Sequence, residues 1–365
     1  MEMGLDGFFQ PGLRKGSSGI VKDEAVKVCP AINISSSNQS ANVWGEAVKI
    51  REAWSSDGLV RKMASSGGII STLAIYLVEK KFVGGVLHVG SDSKAPLTSK
   101  FKVSKTRNEI LANSGSKYSP ALIFSDLFAQ LKGIDGKVVF IGKPCDIIGL
   151  NNLICIYPEL GEKIAFRISF FCGGMPSLNA TKRLVRQAGE IDELEHLRYR
   201  GKGWPGFFTA KFKTGKVHKL PYEESWGRAL GRDLAYRCKI CPDGIGLSAD
   251  IVVGDAWETK DGYPSFEERP GKSFVILRNK KSLNLFNEVE KDGYIQSSDY
   301  CGDQIRKIQR YQYERRVYSP YRLLPVILRF PLLFRINNLS LLSMFRLGNW
   351  KTGIGNFIGS LRRSL

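Results

Sequence analysis

A chain of 365 residues with 43% hydrophobic content carries enough apolar material for a large core, which excludes a disordered tail. Lys and Arg outnumber Asp and Glu by 54 to 35, and the resulting charge of +19 attracts anionic partners without choosing among nucleic acid, lipid and small molecules. No segment reaches the ~20 apolar residues of a membrane span, and residues 1–19 lack the apolar stretch of a signal peptide. The sequence therefore predicts a cytoplasmic protein whose cysteines stay reduced.

Residues 1–44 are rich in Gly, Ser and Asn without a clear period and read as a loose arm or the remnant of a lost module, in which Val28-Cys29-Pro30 stands out. Within Gly67 to Val86, Ile70, Leu73, Ala74, Leu77 and Val78 share one helical face, and the apolar run Val83 to Val89 then reads as a strand. An amphipathic helix is expected over Pro120 to Leu131, leading through the turn Gly133 to Gly136 into a buried strand at Lys137 to Ile141. Ile164 to Phe171 is a further strand, and Pro176-Ser177 marks the start of a helix running to Gln187. From Leu197 the strands shorten, with Phe207 to Phe212 closed by a turn at Lys213 to Lys216, and Ala249 to Gly254 and Ser273 to Leu277 following. The last ~50 residues place Leu, Ile, Phe and Arg at helical spacing, interrupted by Pro320, Pro325 and Pro331. The fold class is α/β: a mixed sheet flanked by helices, a smaller α+β portion, and a C-terminal helical appendix. The divisions are an arm over 1–44, a main domain over 45–300 and an appendix over 301–365.

Chemistry concentrates in turns of small residues. Ser65 to Gly68, Ser114 to Tyr118, Gly142 to Cys145 and Cys172 to Gly174 each end a strand or open a helix, where backbone amides can approach an anion. Gly67 and Gly68 precede a helix whose free N–H groups offer a phosphate seat, although a tight turn with no ligand reads equally well. No G-x-G-x-x-G occurs in these turns, so an ordinary nicotinamide-binding fold gains no support. Cys238 and Cys241 form a C-x-x-C, while Cys145 and Cys172 follow strands whose ends lie near one another in a sheet. Four such thiolates suit a [4Fe–4S] cluster or tetrahedral zinc equally. Cys155 and Cys301 read as unligated buried cysteines, and His88, His196 and His218 as isolated surface or core histidines.

Seven motifs resemble, in order, those of the coenzyme F420 hydrogenase/dehydrogenase beta-subunit family. They are Arg61 to Gly68, Gly115 to Tyr118, Gly142 to Asp146, Phe171 to Gly174 with Pro176-Ser177, Tyr199 to Trp204, Cys238 to Cys241, and Gly254 to Trp257. The resemblance covers about residues 45–300. It implies a flavin-dependent iron–sulfur oxidoreductase that passes electrons between a carrier, such as F420 or ferredoxin, and a substrate. By the same resemblance, Ser66, Gly67, Gly68, Ser116, Lys117, Tyr118, Gly142 and Pro144 contact FAD, and Cys145, Cys172, Cys238 and Cys241 bind a [4Fe–4S] cluster. Asp255 and Trp257 orient a substrate or finish a turn. Many relatives begin with a ferredoxin run C-x2-C-x2-C-x3-C-P; here Cys29-Pro30 alone stands where it would end, so electrons are expected from a separate carrier protein or a deazaflavin. Polysaccharide-cluster members of the family imply a small-molecule or glycan substrate.

Two other classes compete. One is a non-catalytic, zinc-stabilised binding protein of the same fold. The other is a nucleic-acid binder using Arg198, Arg200 and Lys202 beside Trp204, which lacks a recognised nucleic-acid fold and is set aside, so no nucleic-acid partner is expected. In the appendix, Leu332, Leu333, Phe334, Leu339, Leu341, Leu342, Met344, Phe345 and Leu347 alternate with Arg329, Arg335, Arg346 and Lys351. That pattern can pack on the core, join two copies in a homo-oligomer, or rest peripherally on the inner membrane face.

Overall fold

The computed structural model describes residues 1–12, 19–92, 94–331 and 334–364. Its centre is an eight-stranded sheet made of β1 (Lys49–Ser55), β2 (Gly85–Ser91), β3 (Ser99–Ser104), β4 (Val138–Ile141), β5 (Ile164–Phe170), β6 (Ile251–Asp255), β7 (Ser273–Leu277) and β8 (Ile295–Asp299). The spatial order is β8-β1-β7-β6-β5-β4-β2-β3. Strands β2, β4, β5 and β6 run parallel. The neighbours β3 and β7 are antiparallel to them, and β1 and β8 complete the antiparallel side. The expected mixed sheet is thus present, with a parallel centre of Val- and Ile-rich strands buried on both faces.

Alternation along the strands feeds two cores. Ile251 and Val253 of β6 face the helices α1 (Ile69–Glu79) and α4 (Lys280–Lys291), which contribute Leu73, Leu77, Phe286 and Val289. Val252 faces the other way, toward Ile147, Ile148 and Leu150 of α2 (Pro144–Ile156). A third core lies beside the sheet, where α3 (Leu178–Arg186) packs Leu184 and Val185 on a three-stranded antiparallel sheet of Leu194–Arg198, Phe208–Phe212 and Val217–Leu220. This is the smaller α+β portion. Ser177 caps α3, its hydroxyl accepting from the Ala180 amide at 2.9 Å.

Three expectations change. The helix expected over Pro120 to Leu131 forms only over Leu127–Lys132, because Pro120 and the residues after it take an irregular path. Strand β1 was not anticipated; its Lys49, Arg51 and Glu52 hide a half-buried strand that pairs on both sides. Pro325 does not break its helix, which runs over Ser319–Arg329 with Pro325 buried inside it. A proline there forfeits one backbone bond, and tertiary packing of Leu323 and Val326 holds the turn.

After the sheet come the helix Gly302–Ile308, then α5 (Arg310–Val317), Ser319–Arg329, Leu341–Leu347 and Trp350–Ser364. Arg315 and Arg316 of α5 are fully buried. Near the other terminus, the helix Gly19–Val28 and the strand Asn33–Ser35 adjoin α2, where Asn152 donates to the carbonyls of Val28 and Asn33. Asn33–Ser35 pairs in parallel with Arg335–Asn337. Among the described residues, no helix is long and apolar enough to cross a membrane.

Candidate functional site

A cavity of about 870 Å³ opens at the carboxyl edge of β4, β5 and β6, where loops from parallel strands diverge. Ser66, Gly68, Ser116, Lys117, Tyr118 and Gly142 line it, whereas Gly67 and Pro144 do not. Gly68 holds φ at 83° to turn the chain into α1 and leaves that helix without a side-chain cap. The first turn, Ile69 to Ser71, therefore presents its amide end to the cavity. The 64–68 and 114–118 loops are stitched together: the Ser116 amide donates to Ser65 Oγ at 2.6 Å, and the Ser114 hydroxyl to the Met63 carbonyl at 3.3 Å.

Lys117, which the resemblance places in contact with FAD, commits its ammonium to its own loop. Its ammonium donates to the carbonyls of Asn113, Ser114 and Gly115 at 3.0–3.2 Å, so it closes its own loop. Burial, with Arg198 and Lys102 nearby, pushes its pKa down to about 7. His88 also lines the cavity and is not isolated from the glycine loops. It shares a 2.7 Å hydrogen bond with Ser104, and burial followed by the charge of Lys117 pushes its pKa down to about 4, which keeps the ring neutral. Alternation within β2 was the only sequence cue to its inward position.

Gly67 lies behind the cavity wall. Its amide donates to Ser273 Oγ at 3.0 Å and its carbonyl accepts from the Ser55 amide at 2.7 Å. A Cβ at Gly67 would sit 2.6 Å from the Ala53 carbonyl oxygen and 2.8 Å from the Ser273 amide nitrogen, both backbone atoms of the sheet. Gly67→Ala is therefore expected to destabilise the fold by ~1–3 kcal/mol through overpacking. Gly58→Ala, at a position with nothing within 4 Å, should stay within ~0.5 kcal/mol of the parent. Urea unfolding midpoints compare the two, and equal midpoints would remove the close approach from the account.

Of the four predicted cysteines, Cys172 forms part of the cavity wall. Cys145 begins α2, Cys172 follows β5, and Cys238 and Cys241 bracket the end of a single helical turn, Tyr236–Lys239. Their charges act on one another. Burial first, and then Cys238, pushes the Cys172 thiol up to about 11, while burial and Asp146 hold Cys145 well above its usual value. Cys241 moves the opposite way: burial opposes ionisation, but Arg237 and Arg315 outweigh it. Arg315 donates to the carbonyls of Cys172 and Cys238, and the Met175 amide donates to Cys238 Sγ at 3.3 Å. Arg237 donates to the Pro30 carbonyl at 2.6 Å, which brings the Cys29-Pro30 pair beside this group. Among the described residues, no three His, Cys, Asp or Glu side chains converge as ligands of one metal ion. Cys155 and Cys301, expected to be buried, are instead exposed on the surface.

Two other motifs meet across the cavity wall. Arg200, which the nucleic-acid reading set aside above would need at the surface, is buried; it donates to both oxygens of Asp255 at 3.0–3.1 Å and to the Ser65 and Pro205 carbonyls. The Trp204 indole donates to Asp255 at 2.8 Å and stacks on Trp257 with 4.6 Å between centroids. A wide turn over Glu223–Ala229 completes the wall, with Trp226 4.6 Å from the Tyr118 ring. Sequence reasoning passed over this turn, for which Tyr222 and Trp226 in a polar stretch were the only signal.

Sheet and cavity define an open α/β protein with one large chamber at the carboxyl edge of its parallel strands. Two family models, the N-terminal and C-terminal parts of the coenzyme F420 hydrogenase/dehydrogenase beta subunit, match residues 50–127 and 135–301 respectively. The chain belongs to this family. It is 26% identical over 241 residues to the F420-dependent formate dehydrogenase subunit beta of Methanocaldococcus jannaschii, a match covering 66% of this chain and 58% of that protein. It is 26% identical over 264 residues to the coenzyme F420 hydrogenase subunit beta of Methanosarcina barkeri, covering 69% of this chain and 82% of the other. The coenzyme F420-dependent sulfite reductase of M. jannaschii is 25% identical over 67% of this chain and 38% of its own length. In fold, the chain resembles one from the xenon-derivatised F420-reducing [NiFe] hydrogenase complex of M. barkeri, with a TM-score of 0.59, 22% identity, and coverage of 80% of this chain and 96% of that one.

Proposed function

We propose that the protein is an oxidoreductase that holds FAD in the cavity and a [4Fe–4S] cluster on Cys145, Cys172, Cys238 and Cys241, and transfers electrons between a carrier and a small-molecule or glycan substrate. One observation carries the reading: the chamber and the cysteine group share a wall at Cys172 and the residues after it. A volume near 870 Å³ lies within the usual range of ligand pockets. The fit on each side rests on the residues present. The uncapped amide end of α1 suits a pyrophosphate, and the Tyr118 and Trp226 rings suit the flat face of a flavin. Four thiols with the buried guanidinium of Arg315, the part-buried one of Arg237 and a sulfur-directed amide suit an anionic sulfur cluster.

When bound, the two groups would supply two-electron and one-electron chemistry side by side. The chain's own part is to seat, shield and orient. The neutral His88 ring and the committed ammonium of Lys117 leave the helix amides as the main attraction for phosphate, while the Arg200–Asp255 pair fixes the loops on which the ring system would rest. The relatives named as F420-dependent favour F420 as the carrier, and ferredoxin is the other candidate.

Anaerobic purification tests the reading. Protein with flavin absorption, a broad iron–sulfur shoulder and about four iron atoms per chain supports it. A colourless protein carrying one zinc per chain overturns it in favour of a metal-stabilised binding protein.

A further inference from the structure

The last two described helices leave an apolar surface that the rest of the described molecule does not cover. Helix Trp350–Ser364 packs on Ser319–Arg329 through Gly353, set against the Tyr321 ring, and through Ser360, whose hydroxyl donates to the Arg322 carbonyl at 2.6 Å. Its outward side carries Trp350, Ile354 and Ile358 at intervals of four residues, with exposures of 62%, 46% and 43%. Helix Leu341–Leu347 adds Leu342, Phe345 and Leu347, all at least half exposed. The pattern seen in the sequence has thus divided: Leu339 and Met344 pack inward, these three point outward, and Leu332 and Leu333 lie outside the described residues. Single exposed apolar residues are ordinary in soluble proteins, but a helical stripe with a second apolar helix beside it marks an interaction surface.

Charge selects the partner. After Glu314 the sequence contains no Asp or Glu. Arg346, Lys351 and Arg362 are exposed on the same two helices, and Lys351 lies ~100° round the helix from Trp350, beside the stripe. A two-fold contact between copies would bring two such basic faces together, and neither helix carries an acid to offset them. An anionic lipid surface supplies the missing negative charge as mobile headgroups and accepts the apolar stripe at the acyl boundary.

We propose that this face docks in the headgroup layer of an anionic membrane, with the helix Trp350–Ser364 lying flat and Trp350 at the interface. The attachment is peripheral, since no described helix can span a bilayer. It is independent of what the cavity holds.

Co-sedimentation of the full chain with vesicles tests the idea, using phosphatidylcholine alone and phosphatidylcholine mixed with phosphatidylglycerol. Binding should be about tenfold stronger on the anionic vesicles and should weaken as salt is raised. Ile354→Asp combined with Ile358→Asp should lower it by about tenfold, because both carboxylates enter the stripe. Leu59→Asp, at an equally exposed leucine elsewhere, should leave it unchanged. Lys351→Glu with Arg362→Glu provides a second variant in case the first misfolds, and it should also weaken binding. Failure of the parent to bind anionic vesicles, or binding undiminished in folded variants, overturns the proposal. So does a parent that elutes as a dimer and becomes a monomer with Ile354→Asp and Ile358→Asp, which would assign the face to a second copy.

Discussion

Cys238→Ser is expected to leave the purified protein with less than about a tenth of the parent's iron, and single serine replacements at Cys145, Cys172 and Cys241 should do the same. A serine hydroxyl stays protonated where a thiolate is needed, so the proposed cluster would keep only three of its four ligands. The surroundings strengthen the expectation. Cys238 also receives the Met175 amide and offers its carbonyl to Arg315, so it holds its loop in place as well as presenting sulfur. Cys155→Ala and Cys301→Ala alter exposed side chains away from this group and should retain full iron. Iron determined on anaerobically purified protein decides the matter. Full iron in Cys238→Ser would contradict the assignment, whereas loss in Cys155→Ala would move a ligand elsewhere.

Asp255→Ala should be the most damaging single change to stability in the cavity wall, costing about 3–5 kcal/mol. Arg200 is 4% exposed and has its charge balanced by that one carboxylate, which holds it charged despite burial. Removing the carboxylate strands a buried guanidinium and releases the Trp204 indole. Replacing both partners, as in Arg200→Met with Asp255→Leu, should recover part of the loss because neither charge is then left alone. Denaturant unfolding of both proteins measures the difference. If the double variant is no more stable than Asp255→Ala, the pair does not act as a unit.

The sheet was legible where strands were apolar throughout. Lys137 to Ile141, Ile164 to Phe171 and Ser273 to Leu277 stand within a residue of β4, β5 and β7, because a strand covered on both faces has no polar side to confuse its pattern. Strand β1 escaped notice for the opposite reason. Its Arg51 meets Ser297 and Asp299 on the neighbouring β8, so its charges find partners only once the sheet exists. The nearness of Cys145 and Cys172 followed from chain logic, since the ends of adjacent parallel strands are close in space. Arg315 could not be foreseen by that logic: it reaches the Cys172 carbonyl across 143 residues, from a helix that the sequence marks only as basic. Lys117 shows the limit of reading charge as function. A lysine in a glycine loop invites a phosphate, yet the nearest acceptors were the three carbonyls of its own turn.

The reach of α5 also bears on the order in which the molecule is made. Arg315 and Gln312 donate to the carbonyl of Cys172, and Arg315 to that of Cys238. A ribosome delivers Cys145, Cys172 and the C-x-x-C long before it delivers this helix, and domains fold in the order of their synthesis. While a nascent chain stops short of residue 310, the cysteine loops lack the guanidinium and amide that hold them shut. A group loaded before that point would meet an open pocket and become enclosed as α5 settles into place.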